Sequence, residues 1–211
     1  MSNYVPQQDL YLGVTPAGCY YAAQENKDEP GRNFLHNLLR QLETPLFDAK
    51  VACAYSGLKK KNALEFVHWL QDAGFIYGTE DLEVAPQESL DILLQEKLQS
   101  LSDEGKVVLA GSQGLYLGTA GFPHEVAEEL AAMSANLSNV YQHHQSLLKG
   151  NLGYRQQAWG LIDSSGNSEI GFWPIHIGDD HFTLIVAGMP QFNQDSYKEI
   201  IWALSTRYDM T

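Results

Sequence analysis

Sulfur, positive charge and long apolar runs are all scarce in this chain of 211 residues. Only two cysteines occur, Cys19 and Cys53, far apart in sequence. That excludes a disulfide-stapled scaffold and fits a reduced, cytoplasmic setting. No apolar stretch approaches the ~20 residues a membrane span requires, so no membrane insertion is expected. The first residues, MSNYVPQQD, lack the basic and apolar regions of a secretory signal. Lys and Arg number 13 against 26 Asp and Glu, a formal net charge of −13. Such a balance opposes non-specific binding to nucleic acid, whose affinity is dominated by phosphate neutralisation. A phosphate loop of the Gly-x-x-x-x-Gly-Lys-Ser/Thr type is absent, and no set of acid, base and nucleophile converges. The expectation is a non-enzyme without a cofactor.

What is present is periodicity. Residues 9–24 read as two short runs around Thr15-Pro16-Ala17-Gly18, a possible β-hairpin in an N-terminal segment, 1–32. Helical spacing begins at Phe34, Leu35, Leu38, Leu39 and Leu42, and Thr44-Pro45 ends it. Asp48 is placed to cap a second helix through Tyr55, Gly57 breaks the chain, and a third helix runs from 60 to 73 before Gly74. The stretch FIYGTEDLEV then alternates and turns like a two-stranded wing. From residue 87 the expected order is helix, two strands, helix, three strands, helix. The strands are placed at 106–111, 115–122, 157–163, 169–177 and 182–188, and the helices at 87–101, 123–149 and 194–208.

That order, with Val107-Val108-Leu109, the turn at Gly114, the run Leu117-Gly118-Thr119-Ala120 and Glu125-x-x-Glu128-Glu129-Leu130-Ala131-Ala132, resembles the roadblock/dynein light chain domain. Bacterial members often carry an acidic residue before the turn glycine, where this chain has Gln113. Residues 33–86 resemble a winged helix-turn-helix. Ala52-Cys53, Gly57-Leu58, Ala63, Val67, Leu70 and Gly74-Phe75-Ile76 carry that likeness. The implied class is α+β, with an α-β-β-α-β-β-β-α roadblock (profilin/longin-like) domain at 87–211 behind a small winged-helix-like domain at 33–86. The resemblance implies a homodimer that regulates or scaffolds a small Ras-like GTPase by docking. The alternative is a DNA-binding transcriptional regulator dimerised through the roadblock part.

Two candidate surfaces follow. In the helix after Pro123, Val126, Leu130, Met133, Leu137 and Val140 form one stripe, expected to pack on the sheet. Small residues beside it permit close approach of a twin helix. The expected dimer interface is Ala127, Ala131, Ser134, Ala135, Ser138 and Tyr141, with Trp159 and Leu161 on the 157–163 strand. Lys59, Lys60, Lys61 and Asn62 open the third helix, where they could contact nucleic acid, although Glu65, Asp72, Glu80, Asp81 and Glu83 lie close by. His143-His144 is expected to be a surface pair, since neighbours on a helix diverge by about 100°. HIGDDH, residues 176–181, reads as a hairpin turn and not as a metal loop.

Overall fold

The computed structural model describes residues 9–209 and divides into two units. The first takes the described residues of Met1–Gln87 and Phe192–Thr211, and the second is Glu88–Gln191. The first unit is helical: α1 (Pro16–Ala23), α2 (Pro30–Leu39), α3 (Ala49–Ser56), α4 (Lys60–Asp72) and α7 (Asp195–Tyr208) surround the antiparallel pair β1 (Tyr11–Val14) and β2 (Ile76–Thr79). Its core includes Phe34, Leu35, Ala52, Ala63, Leu70, Ile200 and Ile201, all fully or almost fully buried. The helix at 195–208, expected to close the roadblock-like part, therefore belongs to the first unit.

Capping decides the start of this unit, and it replaces the expected hairpin at 9–24. Thr15 is extended, and its Oγ1 accepts from the Gly18 amide at 3.0 Å while donating to the Gly74 carbonyl at 2.6 Å. Pro16 stands at the first helical position, where a missing N–H goes unnoticed. The Thr-Pro pair thus opens α1. Gly18 is forced by proximity: a Cβ there would lie 2.1 Å from the Phe75 carbonyl oxygen. The expected wing is rearranged too. β2 pairs with β1, and the return stretch makes a bridge from Val84 to Glu43. Asp48 caps α3 as expected, its Oδ1 accepting from the amides of Lys50 and Val51.

Polar contacts fix α7 within its unit. Lys198 Nζ donates to Glu83 at 2.7 Å and to the Tyr77 hydroxyl oxygen at 2.6 Å, and Trp202 Nε1 donates to the Gln41 carbonyl at 2.8 Å. Just past the helix, Arg40 grips the buried Asp209 carboxylate with two 2.7 Å bonds. Such planar two-point pairing is the strong form of the charged hydrogen bond.

The second unit is built on a five-stranded antiparallel sheet in the order β4-β3-β7-β6-β5. Its strands are β3 (Val107–Gly111), β4 (Tyr116–Ala120), β5 (Trp159–Ile162), β6 (Ser168–Ile177) and β7 (Asp180–Ala187). With the helices, the class is α+β. α6 (His124–His143) lies on one face, over Val108, Ala110, Phe172 and Ile185. On the other face α5 (Leu90–Lys97) brings Leu94 over Gly118, the strand partner of Leu109. α6 stops at His143, short of the expected 149, and one π-helical turn, Ser146–Asn151, follows. Among the described residues no helix is long and apolar enough to cross a membrane.

Two expectations test this packing. Gly18→Ala drives a methyl into the Phe75 carbonyl, so unfolding in urea should show a loss of about 1–3 kcal/mol. The Arg40–Asp209 pair should respond asymmetrically. Arg40→Met strands a buried carboxylate and should cost about 3 kcal/mol. Asp209→Asn leaves the guanidinium, one third exposed, free to hydrate, and should cost only about 1 kcal/mol. Equal urea midpoints for the two variants would contradict this.

Candidate interface site

α6 carries two apolar arcs: the small one is largely buried, and of the larger one Leu130 and Leu137 pack on the core as expected while Val126, Met133 and Val140 do not. Ala127, Ala131, Ser134 and Tyr141 are buried within the unit, Ala127 and Ala131 in the cluster on the sheet. Ala135 is half-buried and Ser138 exposed. The reason is the β3–β4 turn. Gly114, at φ 78°, comes so close that a Cβ on it would stand 3.2 Å from Ala132 Cα and 3.4 Å from Ala135 Cβ. Only small side chains on that side of α6 allow the turn to tuck in.

The larger residues are displaced to the flank. Val126, Met133 and Val140 are 38%, 41% and 44% exposed, with Leu130 and Leu137 half-buried between them. At 100° per residue these five span an arc of about 80°, and successive members seven apart drift by only about 20°. The stripe is nearly symmetric about Met133.

β5 adds a second unfinished surface. It pairs with β6 alone, Trp159 opposite Phe172 and Leu161 opposite Ile170, and ends the sheet. All four of its residues are exposed, Leu161 at 55% and Ile162 at 68%. Since side chains alternate along a strand, both faces of this edge lack cover. An uncovered apolar edge with free backbone groups is a template for another strand. Among the expected interface residues, then, Trp159 and Leu161 are available on β5, while the available helical surface is the Val126–Met133–Val140 flank.

Lys59, Lys60, Lys61 and Asn62 are exposed at the start of α4. The rest of the helix offers Glu65, exposed Trp69, and His68, whose Nε2 lies 3.4 Å from Asp72. Glu80 and Asp81 are exposed beyond β2. Three lysines and an asparagine are thus followed by acids, Glu65 and Asp72, whose charge opposes phosphate.

His143 and His144 are exposed, their rings edge to face at 4.8 Å. The HIGDDH stretch is indeed a turn, but one with a consequence that was legible and missed. A tight hairpin makes His176 and His181 cross-strand partners, and their Nδ1 atoms lie 2.9 Å apart. Tyr116 and His124 also meet, hydroxyl to Nδ1, at 2.6 Å. Burial pushes the Cys19 thiol up to about 12, which keeps it protonated and unreactive. Lys198, bonded to Glu83 and Tyr77, keeps a raised pKa despite opposing desolvation, and the Tyr77 hydroxyl is itself pushed up to about 12, chiefly by burial. Both groups hold structure and supply no base. Among the described residues, three or more His, Cys, Asp and Glu nowhere gather as a metal set.

No protein-family model matches the chain, and no curated protein does. Solved structures do. Over 59% of its length the chain is similar to the whole of a Roadblock/LC7 domain from Streptomyces avermitilis, with 17% identity and a TM-score of 0.40. It is similar over 58% to Myxococcus xanthus MglB, covering 96% of that chain at 12% identity and a TM-score of 0.38. The same share is similar to the gliding protein MglB of Thermus thermophilus, 93% of which is covered, at 14% identity and a TM-score of 0.35.

Proposed function

We propose that this chain is a homodimeric docking protein that regulates or scaffolds a small Ras-like GTPase and brings no catalytic group of its own. The observation that carries the dimer is the coincidence, in one unit, of an apolar helical stripe symmetric about Met133 and an uncovered edge strand, β5. A surface that pairs with its own copy across a two-fold axis must be self-complementary. An antiparallel second α6 sets Val126 against Val140 and Met133 against Met133. It also brings Glu125 at one helix start toward the Tyr141–His144 end of the other helix. Two copies of β5 side by side continue the sheet and hide the edge.

The GTPase part of the reading rests on the roadblock resemblance of Val107-Val108-Leu109, the Gly114 turn and the helix after Pro123. The order α2, a short extended stretch through Thr44, α3, α4, β2, then the return past Glu83 supports reading the first unit as winged-helix-like. With Glu65, Asp72, Glu80 and Asp81 around α4, protein is the favoured partner of that face over DNA.

Light scattering should report a dimer for the full chain. Met133→Glu should weaken it at least ~30-fold, about 2 kcal/mol, because two carboxylates meet at the axis. The circular dichroism should not change, since Met133 is already partly exposed. A wild-type monomer at micromolar concentration contradicts the dimer. For the partner, the immobilised chain should retain one small Ras-like GTPase from the same genome in a nucleotide-dependent way. Failure to retain any such GTPase in either nucleotide state contradicts the GTPase reading and leaves the dimer standing.

A further inference from the structure

Under the C-terminal half of α6 the second unit holds a cavity of about 120 Å³. An apolar cavity of 150 Å³ accepts benzene, so this one accommodates a ligand of roughly six heavy atoms. In a chain with 26 acidic residues, no Asp, Glu, Lys or Arg lines it. Its titratable lining is His176, His181 and Tyr141, and its apolar walls include Leu137, Trp159 and Phe172. Thr183 follows His181 by two residues, so the two stand on one face of β7. Asp179 in the adjoining turn and Asp180 at the start of β7 lie outside the lining.

The histidine pair sets the charge preference. With Nδ1 atoms 2.9 Å apart, one ring donates its Nδ1 proton to the other. One added proton leaves that bond intact, because the outer nitrogen of the donating ring accepts it. A second would turn two donors toward each other. The geometry of the pair therefore has room for one positive charge and not for two. A metal ion is a poorer match: the two Nδ1 atoms face each other, and the lining has no carboxylate or thiolate to complete a coordination set.

We propose that this cavity binds a small monocarboxylate, its head held by the His176–His181 pair and Thr183, and its short apolar body against Leu137, Trp159 and Phe172. The inference does not rest on the dimer or on the GTPase. Butyrate, a six-heavy-atom probe, should bind the full chain saturably with a Kd near ~1 mM. It should take up about one proton, read by calorimetry in two buffers of different ionisation enthalpy, and move the His side-chain nitrogen resonances. Butyramide, the same shape without charge, should bind about tenfold more weakly. His181→Gln should erase the difference between the two, and His124→Gln, outside the cavity, should leave it. Should His181→Gln not fold, Thr183→Val should weaken butyrate more than butyramide. Absence of saturation by butyrate, or equal binding of butyramide, overturns the proposal. Inorganic phosphate binding as tightly as butyrate also overturns it, since the apolar walls would then contribute nothing.

Discussion

A close approach in the second unit, between the β3–β4 turn and α6, governs which side chains that helix can turn inward. Gly114 touches Ala132 and Ala135 through space that a single methyl would fill. The turn can tuck beneath the helix only if that arc of α6 is small, and the arc is small from Ala127 to Ser138. Burying alanine and serine saves little apolar area per residue, at about 25 cal/mol per Å². The larger residues, Val126, Met133 and Val140, are left on the flank. Close packing inside the unit and an unfinished apolar surface outside it are one constraint seen from two sides. On β5, beyond Trp159, Leu161 and Ile162 are left exposed on opposite faces of the edge.

This explains which parts of the architecture were readable from sequence. The periods were legible, because a 3.6-residue repeat of Leu, Ile and Phe or an alternating strand pattern is local. α4, α6 and α7 and the five strands of the sheet lie within a few residues of where spacing puts them. The face of α6 was not legible. Hydrophobicity alone ranks Val, Leu and Met above Ala, and so directs the larger stripe to the sheet. What decides is steric room, and that depends on a turn ten or more residues earlier, brought near only by folding. The candidate interface was therefore half visible: Trp159 and Leu161 stand on the edge strand, and four of the six helical choices are internal.

Local chemistry also had two readings at Thr15-Pro16. A turn and a helix start use the same residues, since Pro suits both the second position of a turn and the first of a helix. Phe75 settles it, sixty residues away, by accepting the Thr15 amide and leaving no room for a side chain at Gly18. The last helix is a similar case. Its periodicity is plain, but its place is fixed by Lys198, Trp202 and Asp209 reaching Glu83, Gln41 and Arg40. Those partners lie more than a hundred residues back, and no window of sequence joins them. His176 and His181 differ, because a two-residue turn fixes the register of its flanking strands. Counting outward from Gly178-Asp179 places the rings opposite each other, so this pair was within reach of the sequence.

The distribution of charge then connects these local facts to a mode of action. Acidity throughout the chain opposes non-specific binding to nucleic acid, and Glu65 and Asp72 follow closely on the lysines at 59–61. Where the protein does lack acids, it does so in confined places: the apolar flank of α6, the β5 edge and the histidine cavity. An acidic shell around uncharged concave or ridged surfaces discourages non-specific contact and leaves those few surfaces to select partners by shape. The docking role proposed for this chain asks only for such surfaces.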